Sequence, residues 1–259
     1  MKTVILCGGS GVRLKNSNSF IPKAMVKIGH RPLIWHVMKI YAKFGYTDFV
    51  LALGQGGDII KDYFMKYDIN TNDSTIKLGS KEITLHSQNQ EKDWKITFVE
   101  TGENSGTGAR LFRCQDYIRD DNFFVAYADC LSNIDIEKLL ESHKKHDKPV
   151  TVTGVMPPFR YGEFILKEDV AVDWHETSKL KSADGWVNGG FMVFKKEAFR
   201  YLEPFNECTL EKEVFSKLVK DRSVNIFKHD KFWQCLDNER EFSYLNSLCE
   251  KNMEYWLFV

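Results

Sequence analysis

The first residues able to do chemistry cluster near the N-terminus. Gly8, Gly9 and Gly11 follow the apolar run Thr3 to Cys7, Arg13 closes the glycine stretch, and Lys23 follows Pro22. A glycine loop after a buried strand exposes backbone N–H groups, and a following helix start adds positive potential. Arginine adds a permanently charged fork that grips phosphate oxygens in pairs. Proline restricts the loop that carries Lys23. Together these residues make a site for a compact polyanion such as a nucleoside triphosphate. Neither common phosphate loop is present. The dinucleotide fingerprint G-x-G-x-x-G, counted from Gly9, needs glycine at position 14, where Leu14 stands, and no G-x-x-x-x-G-K-[ST] string occurs.

Two carboxylates complete the set. Asp129 ends the apolar run Phe123 to Tyr127, where open α/β sheets place ligand groups, and Asp237 follows the aromatic pair Phe232-Trp233. Two distant carboxylates converging on one point suit Mg²⁺, which takes few protein ligands and fills the rest with phosphate and water. On residue type alone, Asp129 reads equally as a turn aspartate and Asp237 as the N-cap of the last helix. The seven histidines have no H-E-x-x-H spacing, and each reads as surface or structural. The six cysteines, at 7, 114, 130, 208, 235 and 249, form no CxxC pair. They read as isolated reduced thiols of a cytoplasmic protein.

The elements that must position these groups are legible as periodicity. Thr3 to Cys7 and Phe49 to Leu53 are short buried-strand runs, and Pro32 to Phe44 has helical spacing that ends at Gly45. Asp58 to Tyr67 reads as a second helix, giving a β-α-β-α opening and hence a parallel sheet covered by helices. Residues 74–86 alternate around Gly79-Ser80 as a hairpin. Strands follow at Lys95 to Val99, Phe123 to Tyr127 and Val150 to Val155, with helices at Ile136 to His146, Leu210 to Val219 and Arg240 to Asn252. The chain is expected to be one domain over 1–259: a nucleotide core (1–150), a β-rich substrate part (151–236) and a C-terminal helix and tail (237–259). No run approaches the length of a membrane span.

The 259 residues hold 36 Lys+Arg against 36 Asp+Glu, so the chain lacks the basic excess of a general nucleic-acid binder. The balance is uneven along the chain. The first 47 residues carry +8 with no acid, and the remainder carries −8. This places cations near the glycine loop and acids later.

Two strings stand at this loop: Leu6-Cys-Gly-Gly-Ser-Gly-Val-Arg-Leu14, then Ile21-Pro-Lys-Ala-Met-Val26. They resemble the L-[AC]-G-G-x-G-T-R-L and P-K-x-M-[VL] signature of the sugar-1-phosphate nucleotidylyltransferases. Thr101 to Leu111 resembles that family's T-G-x-x-S-x-T-G-G-R-L loop, Tyr127-Ala-Asp129 its Y-G-D, and Trp186 to Phe191 its N-G-G-F segment. Phe232-Trp-Gln-Cys-Leu-Asp237 resembles F-W-Q-P-M-D. The Thr101–Leu111 loop and the Phe-Trp-Gln string favour the glucose-1-phosphate cytidylyltransferase branch. The resemblance implies a Rossmann-like, mostly parallel mixed sheet flanked by helices with a small β-rich sugar-binding subregion. It also implies transfer of a nucleotidyl group from CTP to a sugar 1-phosphate, with Mg²⁺, in sugar-nucleotide and polysaccharide biosynthesis.

The implied roles follow the matched positions. Arg13 and Lys23 hold phosphate, Asp129 and Asp237 hold the metal, and Asp129 joins the two cations as catalytic. Leu6, Gly8, Gly9, Ser10, Gly11, Val12, Arg13, Asn104, Thr107, Ala109 and Ala128 line the nucleotide side. Gly162, Lys179, Asn188 and Gly189 line the sugar-phosphate side. Family members of this size are commonly homo-oligomers, and the hairpin and the C-terminal Tyr255 to Val259 are candidate contacts.

Four departures bear on the substrate. Val12 replaces the threonine of G-T-R, Ala128 and Ala109 replace glycines, and Ser178-Lys179-Leu180 replaces E-K-P. The phosphate and metal groups are kept while sugar-side groups change, so the acceptor is expected to be glucose 1-phosphate or a related phosphorylated metabolite. UTP or dTTP in place of CTP, and a catalytically silent nucleotide-binding relative, are the alternatives.

Overall fold

The structure, a computed structural model, describes residues 1–9, 20–156, 163–167, 170–175 and 186–257. In chain order the strands are β1 (Thr3–Leu6), the pair β2 (Lys27–Ile28) and β3 (Arg31–Pro32), β4 (Asp48–Leu53), and the hairpin β5 (Ser74–Lys77) and β6 (Glu82–Leu85). Next come β7 (Lys95–Glu100), β8 (Asn122–Tyr127), β9 (Cys130–Ser132) and β10 (Val150–Val155), then the ribbon β11 (Glu163–Lys167) and β12 (Val170–His175). The last are β13 (Val187–Lys195), β14 (Val224–His229) and β15 (Trp233–Cys235). The helices are α1 (Leu33–Ala42), α2 (Gly57–Met65), α3 (Tyr67–Thr71), α4 (Thr107–Arg113), α5 (Ile136–His146), α6 (Phe215–Lys220) and α7 (Glu239–Glu250).

Seven strands form one mixed sheet in the order β14-β10-β13-β8-β1-β4-β7. All neighbours are parallel except β13, which runs antiparallel to both β10 and β8. This is the expected mostly parallel α/β sheet. β1 is buried throughout and β4 from Phe49 to Leu53, as strands covered on both faces must be. One core packs α1, α7 and the C-terminal Trp256 on one face; a second packs α4, Leu210 and Leu218 on the other. From β1 the chain moves outward through β4 to β7, then crosses back to β8 on the other side of β1. The order therefore reverses between β1 and β8, and the crevice beyond the carboxyl ends of those strands is where an open α/β sheet binds ligands.

Local chemistry sets the element ends. Gly45 takes φ +81° just past α1, as a helix stop requires. Asp135 caps α5 by accepting from the Lys138 N–H at 3.0 Å. Three expectations are corrected. The helix expected over 58–67 breaks at Lys66 into α2 and α3. The helix expected from Leu210 opens as a wide π-turn, with the Val214 N–H reaching the Thr209 carbonyl at 3.2 Å. The Thr101–Leu111 segment is a loop only as far as Gly106, because the carbonyls of Asn206 and Cys208 accept the N–H groups of Gly106 and Ala109 and start α4 there.

The expectation for Trp256 is also corrected. Trp256 is fully buried, donates its indole N–H to His36 Nδ1 at 3.0 Å and stacks on Phe232, so it belongs to the core rather than to a contact surface. Among the described residues no helix is long and apolar enough to cross a membrane.

Candidate active site

Lys23, Asp129 and Asp237 meet at the switch point. Lys23 opens a single tight turn after Pro22, closed by the Met25 N–H to the Pro22 carbonyl at 2.8 Å, with Ala24 buried beneath it. Asp129 lies in the turn between β8 and β9, and Asp237 follows β15. The β9–β15 ribbon binds the two together, since the Leu236 N–H donates to the Asp129 carbonyl at 2.9 Å. Lys23 Nζ stands 2.7 Å from Asp129 Oδ2 and 2.7 Å from Asp237 Oδ1. Burial works against the ammonium charge, but the Asp129 carboxylate and the hydrogen bonds to Asp129 and Asp237 outweigh it and hold the lysine pKa well above its usual value. Lys23 is a fixed cation at any physiological pH.

Asp237 does not cap the last helix. Asn238 does, accepting from the Glu241 N–H at 3.0 Å, while the Asp237 N–H donates to Glu241 Oε2. The Asp237 carboxylate is thereby left to face Lys23. Asp129 sits in a turn, and that turn aims its carboxylate into the cleft.

The floor of the cleft rests on Arg110, which the sequence reading did not single out. The residue is 4% exposed. It donates to the carbonyls of Gly8 (2.7 Å), Leu53 (3.0 Å), Gly102 (2.7 Å) and Glu103 (3.0 Å) and to Thr101 Oγ1 (2.7 Å). A side chain at Gly8 would collide with this guanidinium, so glycine is required there by the protein's own arginine. Glu211 is the second residue missed. The π-turn brings it over the cleft, where it accepts from the Tyr127 hydroxyl and, at 2.7 Å, from Thr107 Oγ1. Asn188 Nδ2 reaches the Tyr127 hydroxyl at 3.3 Å, and Trp233 Nε1 holds the Gly189 carbonyl at 2.8 Å. Burial and the Glu211 carboxylate both push the Tyr127 pKa up, so this hydroxyl stays a proton donor.

The described residues enclose a cleft of about 560 Å³. Of the candidate site residues, Leu6, Gly8, Gly9, Lys23, Thr107, Ala128, Asp129, Asn188 and Asp237 line it. Ala109 does not: it is fully buried in the second core, so its extra methyl group faces away from any ligand. Asn104 is exposed in the preceding turn and Gly189 is buried; neither lines the cleft. Ser10, Gly11, Val12, Arg13, Gly162 and Lys179 lie outside the described residues, as does the Ser178–Leu180 segment.

The N-terminal excess of charge is less concentrated than the sequence implied. Lys2 pairs with Asp48 at 2.7 Å, Lys39 pairs with Glu91 at 2.8 Å, and Arg31 lies over the rings of Trp35 and Tyr67. Of the described cations in that segment, Lys23 alone lines the cleft.

The donor set fits a hard divalent cation. Asp129 and Asp237 offer oxygen ligands at the cleft wall, and they already hold one cationic group between them.

A mixed sheet whose strand order reverses at a cleft carrying a fixed lysine and two carboxylates defines an α/β domain built to take a phosphate-bearing ligand. The model of the nucleotidyl transferase family matches residues 2–256, and the chain belongs to that family of enzymes. It is 34% identical over 256 residues to a protein of Bacillus subtilis named a probable glucose-1-phosphate cytidylyltransferase, covering 99% of each chain. It is 35% identical over 257 residues to the glucose-1-phosphate cytidylyltransferase of Salmonella typhimurium, covering 99% of this chain and 98% of that one. Among solved structures, HddC from Yersinia pseudotuberculosis shares the fold with a TM-score of 0.68 at 23% identity, over 97% of this chain and 99% of that one.

Proposed function

We propose that this chain transfers a cytidylyl group from CTP to a sugar 1-phosphate, giving a CDP-sugar and pyrophosphate. The observation that carries the proposal is the convergence of Lys23, Asp129 and Asp237 at the switch point, in a chain about one-third identical to cytidylyltransferases over nearly its whole length. A phosphate oxygen of the sugar 1-phosphate forms a bond to the α-phosphorus of CTP, and the bond from that phosphorus to the departing pyrophosphate breaks. The attacking oxygen is already anionic, so no side chain has to take its proton. What the chain must supply is alignment and positive charge.

Lys23 supplies a charge held in place by two carboxylates. Mg²⁺ at Asp129 and Asp237 would neutralise the phosphate charge that builds up during transfer. Thr107 and the Gly8 loop, braced by Arg110, fit the nucleotide side; Tyr127, Asn188 and Glu211 fit the acceptor side. Arg13 is proposed as the triphosphate clamp and Lys179 as the sugar-phosphate contact. The acceptor is glucose 1-phosphate or a close relative, since the chain departs from the E-K-P segment at Ser178–Leu180.

A pyrophosphate-release assay with CTP, UTP and dTTP, Mg²⁺ and a panel of sugar 1-phosphates tests this reading. Release with CTP and at least one sugar 1-phosphate is the expected result. Preference for UTP or dTTP would overturn the base assignment, and CTP binding without turnover on any acceptor would favour the silent relative.

The protein is further proposed to be a cytoplasmic homo-oligomer. In support, the β5–β6 hairpin exposes Ile76, Leu78, Ile83 and Leu85 on one projecting ribbon. Light scattering on the wild type and on an Ile83→Glu/Leu85→Glu variant checks it, and a monomeric wild type would refute it.

A further inference from the structure

The six cysteines are isolated in the sequence, but the fold brings two of them together beside Asp129. Cys130 and Cys235 face each other across the antiparallel β9–β15 ribbon. The Leu236 N–H donates to the Asp129 carbonyl and the Asn133 N–H to the Phe232 carbonyl. With that phase, Cys130 and Cys235 form a non-hydrogen-bonded pair, the kind in which facing side chains stand closest. One ligand atom each from Asp129, Cys130 and Cys235 all lie within 4.8 Å of one another, and Cys130 Sγ contacts Asp129 Oδ1 at 3.4 Å. Both cysteines are among the residues that line the cleft. Cys235 stands where the family's F-W-Q-P-M-D string has proline, so the pairing is a property of this chain.

We propose that Asp129, Cys130 and Cys235 form a second cation site, for a thiophilic divalent metal of the zinc class. Two sulfurs and one carboxylate oxygen make three ligands of a tetrahedral set, and the open cleft leaves the fourth position to water or a phosphate oxygen. Thiolates select zinc-like ions over magnesium, which favours oxygen donors. Binding replaces the two thiol protons, which leave to solvent, with two metal–sulfur bonds. The site shares Asp129 with the Asp129–Asp237 pair, so a thiophilic ion seated there withdraws a carboxylate from the hard-cation position and lowers turnover. The metal site rests on geometry alone; only its effect on turnover rests on the proposed activity.

The test is an optical titration of the reduced, metal-stripped full chain with Co²⁺ in excess Mg²⁺. The expected result is one equivalent of Co²⁺ per chain with a thiolate-to-cobalt charge-transfer band and strong tetrahedral bands, both bleached by Zn²⁺. Cys130→Ser and Cys235→Ser each weaken binding by about 10-fold or more and reduce the charge-transfer band. Cys249→Ser, a half-buried cysteine that does not line the cleft, keeps the wild-type spectrum. A wild-type spectrum without the charge-transfer band, or one unchanged by Cys235→Ser, overturns the site. Because the titration reads binding without turnover, its failure is separate from failure of the activity assignment. In the pyrophosphate assay, micromolar Zn²⁺ lowers the wild-type rate relative to its zinc-free value, and that ratio returns towards unity in Cys235→Ser.

Discussion

Lys23 Nζ and Asp129 Oδ2 stand 2.7 Å apart although 106 residues separate them in the chain. The contact joins the loop after the first strand to the turn after β8, the strand beside it in the sheet. Asp237, a further 108 residues along, closes the group from the third side at 2.7 Å. The lysine is in effect a resident cation between two carboxylates that would otherwise repel one another.

Removing that cation separates its two roles. Lys23→Met is expected to lower kcat/KM by about 100-fold or more, the scale seen when one preorganised charge is lost. The same variant removes the cation that Asp129 and Asp237 share, so the free protein is expected to bind Mg²⁺ more tightly than wild type. Steady-state kinetics paired with calorimetric Mg²⁺ titration reads both. Weaker Mg²⁺ binding in Lys23→Met would mean that the lysine does not compete with the metal.

Arg110 is expected to be a stability residue first. It holds the carbonyls of Gly8, Leu53, Gly102 and Glu103 from one buried position. Arg110→Ala takes this donor from the Gly8, Gly102 and Glu103 carbonyls, while Leu53 keeps the Thr101 N–H, and is expected to cost about 3 kcal/mol or more in urea unfolding. Arg110→Lys recovers little, because an ammonium cannot span the same fork of acceptors. Gly8→Ala is expected to destabilise through the same contact from the other side. A Gly8→Ala protein as stable as wild type would show that the guanidinium can move aside.

These residues mark what was legible in the sequence. The sheet strands were, because buried parallel strands leave short apolar runs such as Val4–Leu6 and Phe49–Leu53. Lys23, Asp129 and Asp237 stand out through the family resemblance, since residue pattern alone leaves Asp129 readable as a turn residue and Asp237 as a helix cap. Arg110 was not: its role exists only once carbonyls from three separate loops converge on it, and no local pattern encodes that. Glu211 was hidden for a related reason, since a helical stretch read as regular opens with a π-turn that swings it over the cleft. Ala109 was misplaced because a residue after a loop glycine looks like part of the loop, whereas α4 has already begun and turned it into the core. The aromatic C-terminus looked like a surface contact until Trp256 found its partner in His36, 220 residues earlier.

Tyr127 and Glu211 make a further prediction. Tyr127→Phe deletes the hydroxyl that Glu211 accepts and that Asn188 approaches. Glu211→Gln keeps the shape but weakens a charge-assisted bond. Both changes are expected to raise the KM for the acceptor several-fold while moving kcat less, since these groups hydrogen-bond to one another at the cleft wall and none of their bonds goes to Lys23. A loss confined to kcat would place them instead at the reacting atoms.

Acid stability depends on two buried histidines. His36 is held neutral: burial lowers its pKa to about 4, and its two ring nitrogens serve the Ile28 carbonyl and the Trp256 indole N–H. Burial likewise lowers His143 to about 4, where its ring lies between Thr151 Oγ1 and Asn122 Oδ1. In the unfolded chain both titrate near pH 6.5. Between pH 6.5 and 4 the unfolded state therefore holds about two more protons than the folded state from these groups. Their contribution to stability is complete above pH 6.5 and is lost as the pH falls towards 4. Urea midpoints measured across that window are expected to drop steeply, with a slope near two protons in wild type and near one in His143→Gln, whose amide can still pair with Asn122 and Thr151. A slope unchanged by that substitution would mean that His143 is already charged in the folded protein.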